Sequence, residues 1–393
     1  MSRWQRYSIV FWLGMVAIVP AQTGLDKQEI FPYQDKHVHG SSVVECANGD
    51  LLACWFYGSG EREADDVVIQ GSRLKKGSDR WEPVFLMADT PGFPDCNPVL
   101  FIDRNERLWL FWVAVQAHRW ELSVLKYRVA DDYQGTGAPQ WSWQDVIMLK
   151  PGEEFAHTVK AQFSQLGEDT YWAEYAPLYQ DMIIRAAQDP AKRQMGWMTR
   201  IHPLVLPGGR ILLPLYSDGF CLGLCAISDD DGKTWRASLP MVGPGLNQPS
   251  LVRKDDGTLV AYMRDEGSPQ KRILKSMSKD DGESWSFAEY TDLPNPGASV
   301  EAIRLESGEW VMVYNDADEG RHIQVAAISD DEGETWKWKR AIEQDKPGEK
   351  SFSYPSLIQA RDGQLHLTYS YSDGKNKSIR HARFSAEWIK SVK

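Results

Sequence analysis

The chain is poor in the residues that build metal and disulfide frameworks, and it carries no excess of positive charge. It has five Cys and eight His among 393 residues. The cysteines (Cys46, Cys54, Cys96, Cys221 and Cys225) show no paired CxxC spacing, which leaves a zinc site without a ligand set. Their odd number excludes complete pairing. Cys46 and Cys54 flank an expected hairpin and could bridge in an oxidising compartment, but buried thiols are the simpler expectation.

Lys and Arg number 44 against 55 Asp and Glu, a net charge of -11. That balance repels nucleic acid and anionic membrane surfaces at long range, so neither is expected as a partner. An anionic ligand would need a local basic pocket. Long apolar runs are scarce as well. The one near the start, residues 9–19, follows Arg3 and Arg6 and ends in Val19-Pro20-Ala21. It is short for a membrane span and has the layout of a signal peptide over residues 1–21, so export without membrane insertion is expected.

What the chain does have is tryptophan, 17 in all, and a repeat that uses it. Ser228-Asp229-Asp230-Asp231-Gly232-Lys233-Thr234-Trp235 recurs from Ser278 to Trp285 and from Ser329 to Trp336, with starts 50 and 51 residues apart. A period of that size marks a propeller or solenoid. Each copy follows an alternating apolar run, such as Ile323-Gln324-Val325-Ala326-Ala327-Ile328, that reads as a strand. Within the motif, Gly232, Gly282 and Gly333 permit a left-handed turn, the Asp two residues earlier can accept from turn amides, and the Trp can pack between sheets. Weaker copies end near Trp81 and Trp141.

Hairpins recur between the copies. Polar Gly turns at Asn48-Gly49-Asp50, Gly208-Gly209, Asp256-Gly257 and Asp362-Gly363 precede apolar strands, and Leu108-Trp109-Leu110-Phe111 and Trp310-Val311-Met312-Val313 complete a set of six. Six such hairpins predict an all-β, six-bladed propeller spanning residues 22–393 as one domain. The stretch of about 153–198 breaks the period. It is rich in Ala, Glu, Gln and Met, so a partly helical insertion is expected there, as packing decoration or as a lid.

With the repeat in place, residues of about 35–385 resemble the sialidase, or neuraminidase, superfamily in its BNR-repeat branch. The resemblance implies an arginine triad that grips a carboxylate, an acid/base Asp, and a Tyr nucleophile assisted by Glu. Tyr354-Pro355-Ser356-Leu357 resembles the nucleophile segment. Arg264, ending a strand, resembles the second triad arginine, and Arg321, before a repeat, the third. The Glu expected one hairpin before the second arginine corresponds to Gln248, which cannot act as a base. His39 stands where the first arginine is expected. For the acid/base, Glu63 fits by spacing, with Asp65 close behind.

Further candidates follow from position. Glu301 could assist Tyr354 from the adjacent blade. Arg200 and His202 are expected to enter the fourth blade just after the insertion, and either could line the axial cleft. Asn97 and Gln248 occupy equivalent positions before strands and could bond sugar hydroxyls. His37 and His39 form an i, i+2 pair with no third ligand in sequence, so no metal and no other cofactor is expected.

The resemblance implies an exo-glycosidase that removes a terminal acidic sugar (a sialic acid, another ulosonic acid or a uronate) from a glycan. In it, Arg264, Arg321 and a protonated His39 hold the carboxylate, Glu63 protonates the leaving oxygen, and Tyr354 traps the anomeric centre. Two alternatives stay open. One is a propeller lyase or His-dependent glycosidase in which His39 or His202 works with Tyr354 beside a uronate. The other is a propeller that binds glycan without turnover.

Overall fold

The structure, a computed structural model, describes residues 24–166, 176–266 and 268–391. The expected signal segment lies outside these residues. Six antiparallel sheets carry the chain in order around an axis. Blades 1 to 6 occupy residues 37–88, 95–146, 198–237, 246–294, 301–344 and 351–384. This is the all-β, six-bladed propeller that the repeat predicted.

The repeats are the turns that end the third strand of blades 3, 4 and 5. In the first, Ser228 Oγ accepts from the Gly232 amide at 2.8 Å, and Asp230 accepts from Thr234 N at 2.9 Å and Thr234 Oγ1 at 2.7 Å. The second and third copies repeat the Ser-to-Gly amide bond at 3.0 and 2.8 Å. The tryptophans then key each blade to the one before it. Trp235 of blade 3 meets Trp109 and Phe111 of blade 2 edge-on, and Trp336 of blade 5 does the same to Tyr262 of blade 4. Trp81, from a weaker copy, lies edge-on to His381 of blade 6.

Sequence reading did not find how the ring closes. The strand Asp26–Glu29 pairs with Lys377–Phe384 and becomes the outermost strand of blade 6. A buried cluster locks the seam. Glu343 of blade 5 accepts from Lys27 Nζ at 2.7 Å, Arg380 Nη1 at 2.8 Å and Tyr369 Oη at 2.6 Å.

On the inner strands a second device joins neighbours. Ser356 Oγ of blade 6 accepts from Val43 N of blade 1 at 3.1 Å, Ser42 Oγ of blade 1 from Leu100 N of blade 2 at 3.0 Å, and Ser250 Oγ of blade 4 from Ala302 N of blade 5 at 2.9 Å. Between blades 5 and 6 a carboxylate takes the place of the hydroxyl: Glu301 Oε2 accepts from Leu357 N at 2.7 Å.

The insertion carries helices Glu153–Phe163, Ala176–Gln188 and Pro190–Arg193. The first spends its apolar face on the propeller wall, where Phe155 meets Trp197 and Phe220 edge-on, and Gln162 Nε2 donates to Trp285 O at 2.9 Å. That is the decoration rather than the lid. Cys46 and Cys54 are buried and unbridged, and the Cys46 sulfur takes an N–H from Arg73 instead. Among the described residues no helix is long and apolar enough to cross a membrane.

Candidate functional site

Four inner strands carry the same irregularity. The register slips between His39 and Ser42, Cys96 and Val99, Asn247 and Ser250, and Ser353 and Ser356. At each slip one residue adopts a left-handed backbone: Gly40 (φ 60°), Asn97 (φ 52°), Gln248 (φ 57°) and Tyr354 (φ 58°). Bulges of this kind re-aim a side chain, and three non-glycine residues held at positive φ mark a constrained site. Asn97 and Gln248 are thus equivalent, as expected, and Tyr354 is the third member of their set.

The inner strand of blade 3 is broken outright between Thr199 and Leu204. Arg200 and His202, expected in the fourth blade, belong to the third, since the insertion follows blade 2, and they leave this break in different directions. Arg200, 2% exposed, sends its two terminal nitrogens to Ser41 O and Pro355 O, both at 3.1 Å. Its guanidinium carbon lies 4.9 Å from the centre of the Tyr354 ring. Burial pulls its affinity for the proton down, and the Glu301 charge pushes back.

Tyr354 is therefore ringed by cations. Arg264 Nη1 donates to its phenol oxygen at 2.9 Å, and the Arg321 guanidinium lies 5.3 Å from its ring centre. Arg321 is steadied by a 2.8 Å bond to Gly297 O. Arg264 Nη2 meets Glu266 at 2.9 Å. Burial works against the Arg264 charge, but Tyr354, Glu266, Tyr216 and Asp218 outweigh it and hold the group more firmly protonated than usual. His39 packs on Tyr354 with ring centres 4.0 Å apart.

The expectation of a charged His39 is corrected here. Burial, followed by the charge of Arg321, the neighbouring His37 and then the charges of Arg200 and Arg264, drives its pKa well below the ordinary value, so the imidazole is neutral. The third cation at Tyr354 is Arg200.

Two other expected residues lie elsewhere. The Glu63 side chain is 68% exposed and paired with Arg62, and Asp65 is paired with His118 at 2.8 Å in solvent. Two residues before Glu63, Glu61 is the carboxyl that feels Arg321 and Arg264, and burial raises its pKa above the ordinary carboxylate value. Spacing alone could not separate Glu61 from Glu63, since both precede the same strand.

Glu301, for its part, does not turn to Tyr354. Its two oxygens are taken by His202 Nδ1 at 2.6 Å and the Leu357 amide. The other ring nitrogen of His202 faces Val43 O at 3.0 Å and Ser42 Oγ at 3.2 Å. Glu301 and His202 are thus the bolt that joins blades 1, 3, 5 and 6 beneath Arg200.

The structure also gathers residues that sequence reading missed. Asn97 Nδ2 donates to Tyr216 Oη at 3.0 Å, and Gln248 also bonds that phenol. Asn247 Nδ2 is shared between Asp218 and Glu266, at 3.0 Å to each. Burial and the neighbouring Glu266 push the Asp218 pKa up to about 6. The signal was faint: Tyr216 and Asp218 end the second strand of blade 3 as Arg264 and Glu266 end that of blade 4. Arg264 and Arg321 can thus hold an anion beside Tyr354, and the Glu61 carboxyl, its pKa raised by burial, lies within their field.

A model of the BNR repeat-like domain matches residues 49–175 and 186–367, well over half the chain. The chain belongs to this family. A relative named anhydrosialidase, from Macrobdella decora, is 24% identical over 201 residues, a match spanning 44% of this chain but only 25% of that protein. The crystal structure of a protein of unknown function from Dyadobacter fermentans superposes with a TM-score of 0.66 at 16% identity, covering 92% of this BNR-family chain and 98% of the other. A leech intramolecular trans-sialidase complexed with 2,7-anhydro-Neu5Ac gives a TM-score of 0.67 at 14% identity, covering 93% and 71%. At these identities the structural likeness shows that the BNR-family chain shares the sialidase fold.

Proposed function

We propose that this BNR-family chain is an exported glycosidase of the sialidase type, removing a terminal acidic sugar of the sialic or a related class from a glycan. The observation that carries the reading is the convergence of Arg264, Arg321 and Arg200 on Tyr354. The names of the relatives support the acidic-sugar class, and residues 1–21 support export.

In this reading the sugar carboxylate displaces Glu266 from Arg264 and lies between Arg264 and Arg321, which offer charged donors on two sides. Arg200, anchored by one bond from each terminal nitrogen to backbone, adds its charge to the field at Tyr354. Glu61, whose pKa burial raises, delivers its proton to the leaving oxygen as the glycosidic bond breaks. The Tyr354 oxygen attacks the anomeric carbon as its phenolic proton passes to solvent, because a phenol avoids the repulsion that a carboxylate nucleophile would meet beside the sugar carboxylate. Water then adds to the anomeric carbon, gives its proton to the Glu61 carboxylate, and releases the sugar from the tyrosine, which takes a proton back from solvent.

The test is release of methylumbelliferone from its sialoside, and of acidic monosaccharide from sialylated and uronate-bearing oligosaccharides. Turnover lost in Tyr354→Phe with substrate still bound supports the reading. Turnover unchanged in that variant removes it.

One observation favours elimination as a second reading. His39 is neutral and in ring contact with Tyr354, so it could take a proton beside a uronate while the arginines neutralise the carboxylate. An unsaturated product absorbing in the near ultraviolet distinguishes the two. Saturable binding with no product of either kind would leave a glycan-binding propeller.

A further inference from the structure

Arg264 gives one terminal nitrogen to Tyr354 and the other to a chain of acidic groups. Glu266 Oε2 lies 2.9 Å from Arg264 Nη2 and accepts from Asn247 Nδ2 at 3.0 Å, and the same Asn247 nitrogen donates to Asp218 Oδ1 at 3.0 Å. Two carboxylates are thus joined through one amide nitrogen, and one of them sits on the guanidinium.

Strand ends from two blades build this chain. Asn247 is buried and lies opposite Arg264 in the ladder of blade 4, just before the register slip. Its amide oxygen is buried without a partner, so the side chain serves the two carboxylates through its nitrogen, one N–H to each. Asp218 follows the strand Ile211–Ser217 of blade 3, and Glu266 follows Leu259–Asp265 of blade 4. The Glu266 amide is fixed by a 2.7 Å bond to Gly245 O, while its side chain is 29% exposed, so the carboxylate can swing into water with the backbone held. The charged groups that act on Asp218 are Glu266, Arg264 and Glu61, and Asp218 acts in turn on Tyr216. Two carboxylates that share one donor favour holding a proton, and a third anion brought beside them strengthens that tendency.

We propose that Glu266 is a placeholder for the sugar carboxylate and that Asp218, linked to it through Asn247, takes up one proton when an acidic sugar displaces Glu266 from Arg264. The inference rests on the acidic-sugar reading of the Arg264 site, and it holds whether the sugar is then hydrolysed, eliminated or only bound. Displacement removes the guanidinium that neutralises Glu266 and adds the ligand carboxylate, so Asp218 meets more negative charge than before. A proton from solvent restores the balance, one negative charge and one positive entering together. Burial and the Glu266 charge already hold the Asp218 pKa at about 6 in the free protein, so the uptake falls near neutral pH. Between the free and the ligand-bound value the complex holds more protons than its separated parts, and affinity falls as pH rises, by at most about tenfold per pH unit.

The experiment is titration calorimetry with the 2,3-dehydro analogue of N-acetylneuraminic acid and with glucuronic acid, from about pH 6 to 8, in two buffers of different ionisation heat so that protons are counted. Wild type should take up a proton on binding, and its affinity should fall as pH rises. Asp218→Asn should bind with no uptake and with an affinity that is flat over the same range. Glu266→Gln should lose the uptake too and bind about three- to tenfold more tightly at the upper pH, because no carboxylate has to be displaced. Glu61→Gln should keep the uptake, which separates the acid of the cleft from Asp218. Thermal melting checks that each variant folds, and Asp218→Asn carries the test if Glu266→Gln does not. Binding without uptake in wild type, uptake that persists in Asp218→Asn or uptake that vanishes in Glu61→Gln overturns the proposal and leaves the acidic-sugar reading intact. Weaker binding by folded Glu266→Gln also overturns it, since Glu266 would then only steady Arg264. Wild type that binds neither sugar acid removes the acidic-sugar reading, and the placeholder falls with it.

Discussion

Arg264 divides its guanidinium between Tyr354 Oη and Glu266, each at 2.9 Å. The fork is therefore occupied before any substrate arrives. A ligand carboxylate must compete with Glu266 while the contact to Tyr354 is kept, and a single ammonium cannot serve both partners. Arg264→Lys should lower kcat/KM for an acidic glycoside by about 10²-fold or more, and steady-state kinetics on a sialoside measure this.

Glu61 and Glu63 separate by substitution. Glu61→Gln should slow turnover of a natural glycoside by about 10²- to 10⁴-fold, as expected for loss of a general acid. Glu63→Gln should stay within twofold, because its carboxylate is solvated. In wild type the acid must be protonated, so kcat/KM should decline as pH rises through the raised pKa of Glu61. Glu61→Gln should lose that limb of the profile.

Asp218 carries a cost to stability. Its folded pKa, about 6, stands above the ordinary aspartate value of 3.8, so the folded state binds the proton more tightly. Between these two values the folded protein holds more protons than the unfolded chain. The contribution of Asp218 therefore becomes less favourable as pH rises from about 4 to 6, and the full cost remains above 6. Asp218→Asn should raise the melting temperature at pH 7 to 8 and flatten the stability profile between pH 4 and 6, as seen by calorimetry. The gain is on the order of 1 to 2 kcal/mol after screening at this partly open site.

The ring closure should be fragile at Glu343. Removing its carboxylate leaves Arg380 and Lys27 without their shared partner and Tyr369 without its acceptor. Glu343→Ala should cost about 3–5 kcal/mol in denaturant unfolding, the penalty for breaking a buried pair from one side.

Ser356→Ala tests the inner-strand bridges. It removes the hydroxyl that accepts from the Val43 amide and should cost about 1–3 kcal/mol, the penalty of an unsatisfied buried donor.

The parts of the fold that are local were legible. Each Asp-box turn is made by a Ser, an Asp and a Gly within seven residues of its Trp, so its bonds can be read from spacing, and three copies at one period fix the blades. Arg264, Arg321 and Tyr354 could be singled out because the segments around them resemble those of the sialidase family. Glu61 could not be separated from Glu63, since a one-dimensional offset carries no sense of which side chain faces solvent. The role expected of Glu301 failed for a related reason. Its partners, His202 and Leu357, lie 99 and 56 residues away, and only the closed ring brings them to it.

The sequence by itself determined the propeller and its blade count, because period and turn chemistry are short-range properties of the chain, and resemblance to a family pointed to the tyrosine and two of the arginines around it. Tertiary structure alone decided which charges meet. It set Arg200 beneath Tyr354 through a broken strand, held His39 neutral among three guanidiniums, and turned Asn97 and Gln248 onto Tyr216 through two bulges. Those outcomes depend on burial and on fields summed across five blades, and neither is written in any one segment.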